Sequence, residues 1–396
     1  MSGAQRIRRL QDVIAQRKLA GAILFYSRDV FYYTGTAQPA YLAIRPDEAR
    51  LFVRRGYETA LRESWFEESA IADERSLDVV VRTMFTGPAS PGGKIGTELD
   101  VLTIPQARAL NSALRGRGLF DISPDILGQR MKKEDGEVES TRKACAAVHA
   151  GHLAVMSALR PGISELELAA SVENAHRLAG HEGCFFLRST DFVMSRGPLA
   201  SGDNLRLTSG TLFTLTGGGL GSAVPTGPTR RVIREGDLVL VDIPTCVEGY
   251  HADQSRTYST GKASGRAVEL FQRLREVADF LIGNIGPGTS CKEMYGLAFR
   301  KAEALGLKDS FMRFDNGATA HFIGHGTGLE INEPPLISAR SNVVLTEKMT
   351  LALELHVMEP GGYTMKLEDT LLVSNTGAEI LTPSPRELIQ VTATKS

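Results

Sequence analysis

LVLVDIPTCVEGYHADQSRT, residues 238–257, sets Asp242 and Asp253 eleven residues apart behind an apolar run. Three later segments extend the pattern: HFIGHGTGLEINEPP (321–335) with His325, KMTLALELHVM (348–358) with Glu354, and KLEDTLLV (366–373) with Glu368. Two Asp, one His and two Glu supply hard oxygen donors and a single nitrogen. Such a set suits Mn, Co, Zn or Fe better than an ion that prefers thiolates. Four carboxylates also carry enough charge to hold two divalent ions, which together activate water near neutral pH and polarise a carbonyl. Each residue alone is weak evidence, since Gly-His-Gly or an Asp before a turn occurs in many loops. The ordered set of five is what points to a metal site.

An internal repeat supports a two-part architecture independently of those residues. Pro161-Gly162-Ile163-Ser164-Glu165-Leu166-Glu167 matches Pro287-Gly288-Thr289-Ser290-Cys291-Lys292-Glu293. Each copy ends one helical pattern at Pro-Gly and opens another with a Ser-x-x-Glu capping box. Each then runs into a glycine-punctuated strand region. The N-terminal part reads differently. QRIRRLQDVIAQRKL (5–19) puts Ile7, Leu10 and Ile14 on one helical face, and GAILFYS (21–27) reads as a buried strand. VFYYTG (30–35) is the next turn, and strands at LAIRP (42–46) and ARLFVRR (49–55) follow. The runs LDVVVRTM (77–84) and GKIGTE (93–98) continue the alternation, with PASPGGK (88–94) as a loop. The charged stretch GQRMKKEDGE (128–137) marks the junction, giving domains 1–132 and 133–396.

The metal-site segments resemble the pita-bread metallohydrolases, the family of methionine aminopeptidase, prolidase, aminopeptidase P and creatinase. The resemblance spans roughly residues 135 to 385, and Phe31-Tyr32-Tyr33-Thr34-Gly35 resembles a motif of the creatinase-type N-terminal domain. It implies an α/β chain: a creatinase-like α/β domain followed by a pita-bread α+β domain with pseudo-twofold symmetry, assembled as a homodimer. It also implies roles. Asp242 would bind one ion, His325 with Glu354 the other, and Asp253 and Glu368 would bridge them. Glu359-Pro360-Gly361 also looks like the family's Glu-Pro-Gly triplet. The spacing from Lys348-Met349, and the fourteen residues from Glu354 to Glu368, favour Glu354, with Glu359 the weaker choice. Glu354 would also pass a proton to the leaving nitrogen.

Two histidines of the peptidase branch are absent. Val224-Pro225-Thr226-Gly227 stands where prolidase-like members have Leu-Pro-His-Gly, and Asn332-Glu333-Pro334-Pro335 where they have His-Glu-Pro-Pro. Thr226 and Asn332 can contact substrate by hydrogen bonds, but neither carries a proton near neutral pH. Asn332 could still stabilise an oxyanion. His321 matches a histidine of the aminopeptidase P branch that could orient a ligand or substrate. His356, two residues past Glu354 and on the same strand face, could substitute for a lost His. The leading expectation is metal-dependent cleavage of an amide bond in a small peptide. The alternatives are a non-peptide C–N hydrolase or lyase on the same fold, and a catalytically weak peptide-binding relative.

Composition narrows the rest. Lys plus Arg number 45 against 46 Asp plus Glu, so no basic excess suggests a nucleic-acid partner. No run approaches the roughly twenty apolar residues of a membrane span. The run LAGAILFY after Arg17-Lys18 is too short for a secretory signal and is followed by no small-residue cleavage site. Cys145, Cys184, Cys246 and Cys291 form no metal-ligand spacing, which suits a reducing cytoplasm. GGGLGSAVPTGP (217–228) lacks the phosphate-loop pattern and is expected to bend sharply beside the substrate cleft. No G-x-S-x-G element supplies a serine nucleophile.

Overall fold

A computed structural model describes residues 3–86, 93–189, 196–210 and 214–392. The loop expected at 88–94 lies for the most part outside them. The chain divides after Arg130 into two compact units.

The first unit is built on a six-stranded mixed sheet. Its strands are β1 (Gly21–Leu24), β2 (Ala40–Ile44), β3 (Ala49–Val53), β4 (Ile71–Asp73), β5 (Ile95–Thr97) and β6 (Leu119–Asp121), in the order β4-β3-β2-β1-β5-β6. Helix Gly3–Gln16 buries Ile7, Leu10 and Ile14, the face its spacing predicts. Of the two later runs, LDVVVRTM lies in the helix Leu77–Phe85, and GKIGTE contains the strand β5. The Ser76 side chain accepts the Val79 N–H as its cap, and Val80, Val81 and Met84 share the buried face. Capping and a buried stripe at helical spacing outweigh the β preference of three consecutive valines. Tyr32 and Tyr33 are buried and pack edge to face, with the Tyr33 hydroxyl donating to Gln129 at 2.9 Å. They are core residues of this unit.

The second unit carries two main sheets. One has the order β17-β11-β8-β7, formed by β7 (Leu199–Ser201), β8 (Leu238–Val241), β11 (Arg256–Thr260) and β17 (Ile389–Val391). The hairpin of β9 (Thr245–Val247) and β10 (Tyr250–Ala252) is inserted between β8 and β11. The other sheet has the order β13-β12-β14-β15-β16: β12 (Phe322–Gly326), β13 (Glu333–Ser338), β14 (Thr350–Met358), β15 (Thr364–Ser374) and β16 (Gly377–Ile380). Two helix pairs flank them, Asp135–Ala158 with Glu165–Leu178 and Gly265–Ile282 with Cys291–Ala304.

The repeat seen in the sequence recurs bond for bond. Ser164 and Ser290 each cap a helix through the N–H of a Glu three residues on. Gly162 N–H donates to Ile233 and Gly288 N–H to Leu345, while Glu165 N–H donates to Arg231 and Cys291 N–H to Val343. Ser164 bridges Val232 as Ser290 bridges Val344. Two copies of one helix-helix-strand unit thus bury their apolar faces in the same way.

In the first helix pair, Gly151 admits the ring of His176. A Cβ at Gly151 would stand 2.0 Å from His176 Nε2, and the ring is 2% exposed. Gly151→Ala should therefore destabilise the protein by about 1–3 kcal/mol, read from the urea midpoint, although alanine favours a helix by about 1 kcal/mol. An unchanged midpoint would show that the ring can yield. Burial, then the neighbouring His181, pushes the His176 pKa down from 6.5 to about 4. The unfolded chain consequently takes up the proton first as pH falls. The stability this neutral ring contributes is full above 6.5 and is lost toward pH 4, up to about 3 kcal/mol. The slope of stability against pH across that window should be shallower in His176→Phe.

Candidate metal centre

All five sequence-derived residues lie in the second unit, and local geometry explains their spacing. Asp242 follows β8 and Asp253 follows β10, so the eleven intervening steps are the β9–β10 hairpin. Glu248 and Gly249 at its tip have φ of 53° and 80°, the left-handed pair that a two-residue hairpin turn requires. The Asp253 N–H donates to Thr370 Oγ1 at 2.9 Å, and that hydroxyl donates back to the Asp253 carbonyl at 2.8 Å. This exchange ties the hairpin to β15.

His325 sits on β12 between two strands that leave no room for side chains beside it. A Cβ at Gly324 would lie 2.5 Å from the Ala352 carbonyl oxygen, and one at Gly326 2.2 Å from that of Pro334. The Gly-His-Gly signal is therefore a packing requirement on both flanks of the histidine. Its Nδ1 lies 3.0 Å from the Gly326 carbonyl, which can only accept, so the proton is on Nδ1. The Nε2 lone pair is left facing the acids. Glu354 on β14 and Glu368 on β15 are direct cross-strand partners, which accounts for their fourteen-residue gap. Glu359 lies elsewhere, paired with Arg266 at 2.5 Å.

His325 Nε2 is 3.7 Å from Glu354 Oε1 and 4.0 Å from Asp253 Oδ2. Donor atoms of Asp253, His325 and Glu368 all lie within 4.8 Å of one another, and all three residues are buried. One nitrogen and several carboxylate oxygens at such separations fit a divalent ion. Burial, then the charge of Asp242, holds the Asp253 carboxyl well above the usual carboxylate range; burial and then Asp253 do the same to Glu368. Ser255 Oγ donates to Glu368 Oε2 at 2.6 Å and fixes that oxygen.

One residue of the centre was not singled out from the sequence. Lys366 Nζ lies 2.8 Å from Asp242 Oδ2, 2.8 Å from Glu354 Oε2 and 2.9 Å from Glu368 Oε2. It also lies 2.9 Å from Thr214 Oγ1, and its side chain is 2% exposed. Burial works against its charge, but Asp242, Glu354 and Glu368 outweigh burial and hold the amine well above its ordinary pKa. Burial likewise works to raise Glu354, yet Lys366 and then His325 pull it below its ordinary value. The signal was present: in a strand, Lys366 and Glu368, two apart, share a face.

The cleft over this cluster holds about 540 Å³, counting space open to solvent. Leu187, Pro198, Pro244, Phe322 and Ile331 give it apolar walls, and Asn332 lines it as expected. His321 lines a neighbouring pocket with Ser209, Phe314 and Asn316, and Thr214 is common to both. His356 departs from its expected role. It stands across the ladder from Lys366, on the face of Glu354 and Glu368, but its Nε2 lies 3.0 Å from the Arg313 carbonyl and its ring against Phe314, and it is not part of the described cleft lining. Burial lowers its pKa to about 4. Thr226 is buried and, among the described residues, is not part of the cleft lining. The glycine-rich stretch before it does bend sharply: a Cβ at Gly219 would lie 2.3 Å from the Val224 carbonyl.

Comparison with known proteins places these features in a family. The Metallopeptidase family M24 matches residues 139–375, and the Creatinase/Prolidase N-terminal domain matches residues 6–132. A probable dipeptidase PepE of Mycobacterium bovis is 30% identical over 273 residues, 68% of this chain. That match spans only 64% of the dipeptidase's own length. An Xaa-Pro dipeptidase of Pyrococcus furiosus is 25% identical over 389 residues, covering 97% of this chain and 99% of its own. The solved structure of an Xaa-Pro dipeptidase from Bacillus anthracis superposes with a TM-score of 0.81 at 26% identity, over 98% of this chain and 100% of that one. With an N-terminal creatinase-type domain ahead of a pita-bread domain that the family matches over most of its length, this chain belongs to Metallopeptidase family M24.

Proposed function

We propose that this protein is a metal-dependent peptidase that cleaves the amide bond of a short peptide in the cleft over His325. One observation carries the reading: an imidazole lone pair faces Glu354 Oε1 and Asp253 Oδ2 at 3.7 and 4.0 Å on the floor of an open cleft. Asp253, His325, Glu354 and Glu368 would hold the ion. The chemistry such an ion supplies when bound is polarisation of a carbonyl and activation of water at neutral pH.

The remaining roles fall to the chain itself. Glu354 is kept ionised by Lys366, so its carboxylate is ready to accept a proton and return it to the leaving nitrogen. The Asn332 amide can donate to the carbonyl oxygen as charge develops on it. Leu187, Phe322 and Ile331 shield the reacting centre and receive an apolar side chain. Similarity to the Xaa-Pro dipeptidases supports a dipeptide substrate, and the same reading takes the protein to be a cytoplasmic homodimer. Among the described residues, no helix is long and apolar enough to cross a membrane. A non-peptide amide is the second reading, favoured by Asn332 standing in the cleft where a proton-carrying histidine would serve a peptidase.

Hydrolysis of an Xaa-Pro dipeptide panel beside small non-peptide amides, with Mn²⁺ or after chelation, separates the two. Cleavage of dipeptides that stops on chelation is expected; turnover of the amides alone would move the assignment to the second reading. Glu354→Gln should lower kcat by about 10²–10⁴-fold, and a fall smaller than tenfold would remove Glu354 from proton transfer. Ser255→Ala, which frees Glu368 Oε2 of its hydroxyl donor, should weaken Mn²⁺ binding about 10–100-fold by calorimetry. Unaltered affinity would mean that Glu368 is not held for metal by Ser255.

A further inference from the structure

We infer that the Lys366 ammonium takes the place of one of the two ions expected here, so that the centre holds a single divalent ion beside His325. The inference rests on the metal-binding reading above and concerns how many ions the site accepts.

The carboxylate oxygens divide into two groups. Glu354 Oε1 and Asp253 Oδ2 turn toward His325 Nε2, at 3.7 and 4.0 Å. Glu354 Oε2, Asp242 Oδ2 and Glu368 Oε2 turn instead to Lys366 Nζ, each within 2.9 Å. Asp242, expected from the family resemblance to serve the ion farther from the histidine, thus faces an amine. An ammonium has three protons to donate, and three carboxylates with the Thr214 hydroxyl surround it at 2.8–2.9 Å. A cation is already lodged where the second ion would need the same oxygens.

The lysine is held at both ends. Its backbone is fixed on β15, with Lys366 N–H donating to Thr257 Oγ1 at 3.0 Å and the Thr257 hydroxyl donating to the Lys366 carbonyl at 2.8 Å. Its side chain is 2% exposed, and leaving the cluster would break its contacts with three carboxylates at 2.8–2.9 Å.

The test is the Mn²⁺ content of wild type and Lys366→Ala after saturation and removal of free metal, with the electron paramagnetic resonance spectrum of each. Wild type should retain one ion per chain with the six-line signal of an isolated Mn²⁺. Lys366→Ala should retain two and show a spin-coupled signal. Two ions in wild type would overturn the lysine's role and leave the metal-dependent reading standing. No ion in wild type would overturn both. One ion in a folded Lys366→Ala would show that something other than the amine excludes the second. Should Lys366→Ala not fold, anomalous scattering from Mn²⁺-loaded wild-type crystals decides, since a single peak beside His325 supports the inference and peaks on both sides of Glu368 overturn it.

Discussion

Two buried glutamates facing each other across a β-ladder set the terms for the second unit. Glu354 and Glu368 are direct partners on β14 and β15, and both are almost wholly removed from water. Like charges opposite one another destabilise a sheet, and desolvation adds to the cost. Asp242 and Asp253 arrive from β8 and the β9–β10 hairpin and enlarge the deficit. Cations among its oxygens offset that cost. The chain provides one of its own in Lys366 and leaves the His325 side arranged for another from solution.

The surrounding framework keeps these charges where they are. Lys366, Glu368 and Thr370 alternate toward the cluster along β15, and Asp369 points the other way. Asp369 is gripped at 2.7 Å by Arg256 and at 2.6 Å by Arg386. Burial works to raise this carboxyl, but the two guanidiniums outweigh burial and hold it below its ordinary pKa. Arg256 also donates to the Glu368 carbonyl. The strand is therefore clamped on the face away from the site, while Ser255 and Thr370 set the orientation of Glu368 and of the Asp253 backbone on the other. Removing one partner from a network of this kind leaves a charge uncompensated, which is why its members act as a unit.

The internal repeat explains how segments far apart in sequence meet. Each half uses the same Pro-Gly turn, serine cap and backbone bridge to fasten a helix pair to its strands. The aspartates come from one half and the histidine and glutamates from the other. The cluster thus lies where the halves join, and the fold brings acidic and imidazole side chains from both.

Much of this was legible in the chain itself. The repeated caps and the burial face of the first helix are local patterns, fixed by turn chemistry and helical period that act over a few residues. The choice of Glu354 over Glu359 came from the spacing of the family the segment resembles, and the ladder sets Glu354 directly opposite Glu368. His356, Thr226 and Lys366 were different. His356 has the right parity for the site, yet the Arg313 carbonyl and the Phe314 ring, brought by another segment, engage its ring, and it is not part of the described cleft lining. Thr226 matches a family position but is absent from the described cleft lining. Lys366 stood in view two residues before Glu368, where a lysine usually reads as a solvated side chain. The sequence determined which residues share a strand face. Only the tertiary structure decided which charges that face would meet, because burial and the approach of β8 turned an ordinary lysine into the counter-ion of three carboxylates.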